Sequence, residues 1–480
     1  MELNAVAQAT EEIKGEDSID NEDSRGYPSG ARLLIVTVGM MAVILMVALD
    51  NYILATAIPR ITTQFKSLGD VGWYASSYFL TQMALQPAFG HLYTDYSVKA
   101  VYIVAIVIFK IGSMVYATAD SSETLIVGRL IAGGGGAGLY VGTLALVGYT
   151  VPIRKRPVYI SIVTSMFGIA SVAGPLLGGL FTDTPKLTGR FCFWINLPIG
   201  FVAFLFISIL YQEGGQIRKK KPAFTKGIAK CDLISVCLLI SAFICLLLAL
   251  QWADITYAWS DSHVYGCLLG FGLLLGAFIF VQIWKTDNTI IPFSLLSQRT
   301  VAASSSFLLF ISMAVLGVSA CESGFRNLPF LITLLFSPMA SGVIISWSGF
   351  YVPFMWLGAA LATIGSGLLF TLKTDSSRGA VAGYQFIVGF GLGMCNQIPF
   401  NAVQYILPPS QMVMGSAIVS FSNSLGPIFG TSIGQAIFAS LYVRRLKLLP
   451  GVDGAAVVRA GTTNLAAMVP EATLPAVREA

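Results

Sequence analysis

The sequence predicts an all-α protein that crosses a lipid bilayer many times, and three observations predict it. Of the 480 residues, 55% are hydrophobic and 11% charged, against about 25% charged in an average soluble protein. With a mean hydropathy of +0.75, the chain holds more apolar surface than one core can hide, so lipid is the solvent for most of it. Thirteen apolar runs are each long enough to cross ~30 Å of hydrocarbon at ~1.5 Å per residue. Finally, landmarks recur along the chain at a near-constant offset, the signature of duplicated bundles.

Residues 1–31 are polar and acidic (Glu11, Glu12, Glu16, Asp17, Asp20, Glu22, Asp23) and lack the basic start and cleavage site of a signal peptide, so a retained, disordered tail is expected. The apolar runs follow at 33–56, 73–92, 100–119, 124–148, 158–181, 192–212, 232–252, 263–284, 301–320, 327–346, 351–372, 381–403 and 412–442. With the tail in the cytoplasm, twelve basic residues of the loops lie inside and seven outside, so the positive-inside rule sets a cytoplasmic N-terminus. The run from Arg218 to Lys221 reads as a topology anchor. Because the basic residues sit in short loops between apolar runs, the net charge of +5 does not point to a nucleic-acid partner. Seven cysteines (192, 231, 237, 245, 267, 321, 395) lie in or beside apolar runs without a C-x-x-C pair, and His91 and His263 stand alone, so no metal site is expected.

Self-comparison divides the chain. Gly174-Pro175-Leu176-Leu177-Gly178 returns as Gly426-Pro427-Ile428-Phe429-Gly430 at an offset of 252, Gly90 returns as Gly342 at the same offset, and Gly134, Gly136 and Gly138 return as Gly389, Gly391 and Gly393 at 255. The expected organisation is a cytoplasmic tail (1–31), a six-span bundle (32–212), a basic cytoplasmic loop (213–231), two extra central spans (232–284), an incomplete second bundle (285–442) and a polar C-terminal segment (443–480). Arg32 precedes Gly90 by 58 residues, whereas Arg299 precedes Gly342 by 43, which places a deletion of about fifteen residues near Val318–Phe325 and shortens the ninth span. The repeat's sixth span would fall in 443–463, where Arg444, Arg445, Lys447 and Pro450 forbid a crossing, so the chain reads as one span short.

No nucleophile has a base and an orienter in reach, so no catalytic residue and no enzyme activity is expected. The run from Gly133 to Gly138 lacks the ending of a phosphate loop and reads as a helix face built for close approach; with no Walker motif, ATP is not the expected energy source. Ionisable residues inside the apolar runs are functional candidates by default: Asp50, Lys110 and Arg129. Asp50 and Arg129 lie at matching depth, ~7–10 Å below the outer interface, and can pair if spans 1 and 4 face one another. The pair reads either as proton-coupling machinery or as a static ion pair that fixes helix register, while Lys110 reads as snorkelling. Gly174, Pro175, Gly178, Gly179, Gly426 and Pro427 read as a hinge or gasket between the units, or as tight contact alone. Gln82, Gln86, Asn396, Gln397, Asn401, Gln404 and Asn423 are candidate lining of a central substrate cavity, and the scarcity of buried carboxylates favours a neutral or acidic amphiphile.

With these residues in view, the sequence resembles the major facilitator superfamily, in its fourteen-span drug:proton antiporter group and the fungal toxin-efflux branch, over residues 33–480. The resemblance is carried by Leu49-Asp50-Asn51 leading into Ala57-Ile58-Pro59, by Gly128-Arg129 and the glycine run, by Gly174-Pro175-Leu176-Leu177-Gly178-Gly179, and by Phe193-Trp194-Ile195-Asn196-Leu197-Pro198. The turn Gly90-His91-Leu92-Tyr93-Thr94-Asp95 departs from the family's gate motif by placing its acid one position late. The resemblance implies the major facilitator fold and proton-driven export of small amphipathic toxins or secondary metabolites. It also implies coupling roles for Asp50 and Arg129, no cofactor beyond the proton gradient, and residence as a monomer in the plasma or vacuolar membrane. A siderophore or basic amino-acid permease, and a truncated remnant that does not transport, are the alternatives.

Overall fold

The computed structural model describes Tyr27 and residues 30–65, 70–183, 191–211, 232–253, 257–285, 289–319, 328–372 and 377–446. Most of the acidic tail, the whole of the basic loop 213–231, most of the expected deletion and residues 447–480 lie outside the described residues. The helices are α1 (Ala31–Phe65), α2 (Val71–Asp95), α3 (Val98–Ala117), α4 (Ser122–Thr150), α5 (Arg156–Thr164), α6 (Met166–Asp183), α7 (Phe191–Trp194), α8 (Asn196–Leu210), α9 (Leu233–Trp252), α10 (Ser262–Lys285), α11 (Phe293–Leu296), α12 (Arg299–Ser319), α13 (Leu328–Ser348), α14 (Val352–Phe370), α15 (Arg378–Ile406) and α16 (Pro409–Leu446). Every apolar run corresponds to one long helix or to a broken pair, α5–α6 and α7–α8. Among the described residues, β pairing is confined to an isolated bridge between Ala253 and Tyr257.

Ten of these segments are long and apolar enough to cross a membrane, and the apolar stretches in α8 and α12 are shorter. α2 has spanning length but buries Ser77, Thr81, Gln82 and Gln86. Its polar atoms are kept from lipid by the helices around it, as a bilayer requires. The break between α7 and α8 has a covalent cause: Pro198 has no N–H to give the Trp194 carbonyl, so the helix restarts at Asn196.

The two bundles repeat one arrangement. α4 is flanked by α2 and α3 and α15 by α13 and α14, while α1 lies on α6 and α12 on α16. α4 and α15 have 29 residues each. They are capped by Ser121 and Ser377, whose hydroxyls accept from Thr124 N and Ala380 N. The offset between them is therefore 256, one more than the glycine run alone suggests. A Cβ at Gly133 would lie 2.3 Å from both Thr81 Oγ1 and the Tyr78 carbonyl, and one at Gly389 would lie 2.2 Å from Thr333 Oγ1 and 2.6 Å from the Phe330 carbonyl. Lipid gives helices no hydrophobic push towards one another, so such backbone approach is what holds these pairs together. α12 is the counterpart of α1, and it reaches Ser319, where the described residues pause until Leu328.

The bundles meet where α2 crosses α16 and where α5 and α6 cross α13. Gly90 and Gly342 are the contact points of these crossings: a Cβ at Gly90 would lie 2.7 Å from Ala417 Cβ, and one at Gly342 2.2 Å from Ser161 Oγ. The extra helices α9 and α10 pair with each other, and α9 wedges against α2 and α16. Phe243 sits 5.7 Å from Phe429 and 5.8 Å from Phe271, ring centre to ring centre. At the base of this hairpin Lys285 Nζ lies 2.6 Å from Asp232 Oδ1, and His91 Nε2 lies 2.8 Å from the Thr289 carbonyl.

Candidate functional site

Five spans of the first bundle converge on one buried polar cluster. Asp50 on α1 and Arg129 on α4 form an ion pair, Nη1 to Oδ2 2.5 Å, with side-chain exposures of 0% and 1%. The carboxylate also accepts from Asn196 Nδ2 at 2.8 Å, at the restart of α8, and from the Tyr116 hydroxyl of α3. The guanidinium donates through Nε to the Tyr74 carbonyl of α2 at 2.9 Å and stands over the Tyr78 ring, 4.6 Å from its centre. Asn51 Oδ1 lies 3.5 Å from Nη2, while its own amide nitrogen donates to the Val47 carbonyl at 3.0 Å. Phe193 closes the cluster edge-on against Tyr116, with ring centres 4.7 Å apart.

Three donors on one carboxylate and a cation–π contact under its partner are what two charges need to stay paired away from water. Separated in such an interior they cannot both remain charged, and only the carboxylate can take a proton. The cluster is confined to the first bundle. At the offset of 256, the place of Arg129 is taken in the second bundle by Gln385, which is 4% exposed.

A family model described as Major Facilitator Superfamily matches residues 40–431. The chain belongs to the Major Facilitator Superfamily. Among its relatives, the MFS-type transporter ltbE of Aspergillus luteorubrus is 39% identical over 100% of this chain and 90% of that protein. The efflux pump roqT of Penicillium rubens and the MFS-type efflux pump MFS1 of Arthroderma benhamiae are each 38% identical over 96% of this chain and 88% of theirs. The solved proton:xylose symporter XylE shares the superfamily fold, with a TM-score of 0.58 over 92% of this chain and 96% of that one at 12% identity.

Set in the superfamily fold, the glycine-proline motifs lie within helices, α6 continuing past Pro175 and α16 past Pro427. Gly174 abuts α1, its Cβ position 2.7 Å from Tyr52 Cβ, and Gly426 abuts α12, 2.5 Å from the Leu309 carbonyl. Gly430 meets the Met313 carbonyl at 2.5 Å, whereas a Cβ at Gly179 would have nothing within 4 Å. Gly174→Ala is therefore expected to lower the melting temperature of the purified protein and Gly179→Ala to leave it unchanged or raise it slightly. Equal shifts would mean that the contact with α1 does not constrain the motif.

The predicted cavity residues are spread along both bundles. Gln82 and Gln86 are buried on α2, and both amide atoms of Gln86 lack a partner. Gln397 donates across to Thr164 of α5, and Gln404 Nε2 to the Leu144 carbonyl of α4 at 3.2 Å. These two amides join the bundles. They act with Arg156, whose Nη1 donates to the Gln404 carbonyl at 3.2 Å, and with Ser346, whose hydroxyl donates to the Arg154 carbonyl at 2.6 Å. Asn396 is half-buried, Asn401 lies at the face bearing Arg154, and Asn423 Oδ1 accepts from the Ser312 hydroxyl at 2.5 Å. Lys110 rests over the Phe201 ring, 5.4 Å from its centre.

Proposed function

We propose that this chain exports small amphipathic molecules, toxins or secondary metabolites, in exchange for protons. The observation that carries the reading is the wholly buried Asp50–Arg129 pair, gathered by five spans of one bundle. The names of the efflux-pump relatives and the absence of a Walker motif support it. Asp50 takes up a proton when Arg129 is drawn away and releases it when the pair re-forms, and the proton gradient is the only energy source. No cofactor and no partner chain enters the cycle. The N-terminus and the basic turn Arg154–Arg156 face the cytoplasm, and the protein works as a monomer in the plasma membrane. In that orientation the contacts of Arg156, Gln397, Gln404 and Ser346 close the cytoplasmic end, so this conformation precedes release to the outside.

The test is accumulation of fluorescent amphiphiles in yeast lacking its own pumps. Lower accumulation with this chain, restored to control level by a protonophore, is expected. Equal accumulation with the protein verified in the membrane would overturn the reading.

A further inference from the structure

A lysine in the middle of an apolar helix carries a charge that hydrocarbon cannot solvate, so it calls for a counter-charge, a carbonyl or water. Arg129 meets Asp50, and Lys99, at the start of α3, donates to the Tyr211 carbonyl at 2.8 Å. Lys110 has no such partner. Among the described residues it makes no hydrogen bond and no ion pair, and its ammonium meets the Phe201 ring alone, 5.4 Å from the centre.

The register of α3 against α7 and α8 fixes the depth of that ammonium. Tyr116 meets Phe193 and Asn196, Lys110 meets Phe201, and Lys99 meets Tyr211. Phe201 stands midway between Phe191 and Tyr211, ~15 Å from either at ~1.5 Å per residue, which is the centre of a ~30 Å hydrocarbon layer. The stem does not snorkel towards headgroups but lies along α8, its Cδ and Cε 3.5 Å from the Cβ position of Gly200. Behind that glycine stands Met46, wholly buried, with Sδ 2.8 Å from the same position. In front, Val107, Ile111 and Met114 of α3 and Phe201 and Val202 of α8 are exposed. The half-buried lysine therefore faces acyl chains.

We propose that Lys110 anchors a binding site, open to the bilayer between α3 and α8, for the carboxylate of a long-chain acidic amphiphile. The ammonium calls for an anion, and the apolar walls beside it for a chain. Depth chooses among anions. A phosphodiester keeps its charge and stays at headgroup level, whereas a carboxylic acid takes up a proton in a low dielectric, enters hydrocarbon as a neutral molecule and forms with the lysine a pair of no net charge.

The test is photo-crosslinking of the full chain in phosphatidylcholine nanodiscs, with a long-chain acid carrying a diazirine beside its carboxyl group and with the matching alcohol. The acid is expected to label peptides of α3 and α8 around Lys110 and Phe201, and the alcohol about a tenth as much. Excess oleic acid should compete and excess phosphatidylglycerol should not. Lys110→Gln should lower labelling about tenfold, the loss of one charge-assisted pairing, and Lys110→Arg should preserve it. Equal labelling by the alcohol, competition by phosphatidylglycerol, or unchanged labelling of Lys110→Gln would overturn the proposal. In detergent without amphiphile, Lys110→Gln is expected to melt at or above the parent temperature, since it removes a charge that nothing in the chain answers. A variant melting well below the parent would mean that the protein itself satisfies the ammonium, and would overturn the proposal as well. No step of this test depends on transport.

Discussion

Replacing Asp50 with asparagine is expected to reduce proton-driven export to the protonophore background and to weaken the fold as well. The substitution leaves Arg129 at 0% residue exposure without a counter-charge, held by neutral acceptors and the Tyr78 ring alone. Breaking a buried pair by removing one partner costs about 3–5 kcal/mol, because the remaining charge is stranded. The double variant Asp50→Asn with Arg129→Gln removes that mismatch. It is expected to recover yield and melting temperature while export stays at background, since neither amide takes up a proton. Melting temperature and protonophore-sensitive efflux, measured on parent, single and double variants, separate the two effects. A double variant that still pumped against a proton gradient would end the coupling role of this cluster.

Valine at Gly135 is expected to have the next largest effect. A Cβ there would lie 2.4 Å from the main-chain nitrogen of Phe109 and 2.6 Å from its Cα. Side-chain obstacles cost about 1–3 kcal/mol to accommodate because they can turn away. A main-chain obstacle cannot, so α3 and α4 must move apart along their length. The repeated architecture makes the same forecast for Gly391→Val, whose Cβ would fall 2.4 Å from Ala362 N. Gly272→Val on α10, with nothing within 4 Å, is the control. If all three variants melt together, close backbone approach is not what holds these bundles.

Charge in an apolar run is conspicuous, and Asp50, Arg129 and their shared depth were legible for that reason. Tyr74, Tyr78, Tyr116 and Asn196 do not stand out in the sequence as site residues, because neutral polar and aromatic side chains occur throughout membrane helices and the rotation that aims them inward leaves little trace in uniformly apolar sequence. Asn196 did carry a signal: a polar residue two positions before a proline that must interrupt its helix. The repeat was legible through its glycines, but four consecutive glycines from Gly133 to Gly136 make their register ambiguous by one. The capping serines Ser121 and Ser377 resolve it, since a cap belongs to one position only. Gln397 and Gln404 read as cavity lining from composition, yet which neighbour an amide meets depends on how the two bundles close.

The extra hairpin makes the two seams between the bundles unequal. Along one, α9 covers the meeting of α2 and α16, and Leu80, Met83, Ala84 and Ile428 are buried beneath it. Along the other, α6 and α13 meet with Ile169, Leu176, Ile332 and Phe336 exposed. The two flanks therefore meet the acyl chains differently: one seam is roofed by a helix hairpin, while the other, where Gly168 packs against Leu335, is itself the surface that faces lipid.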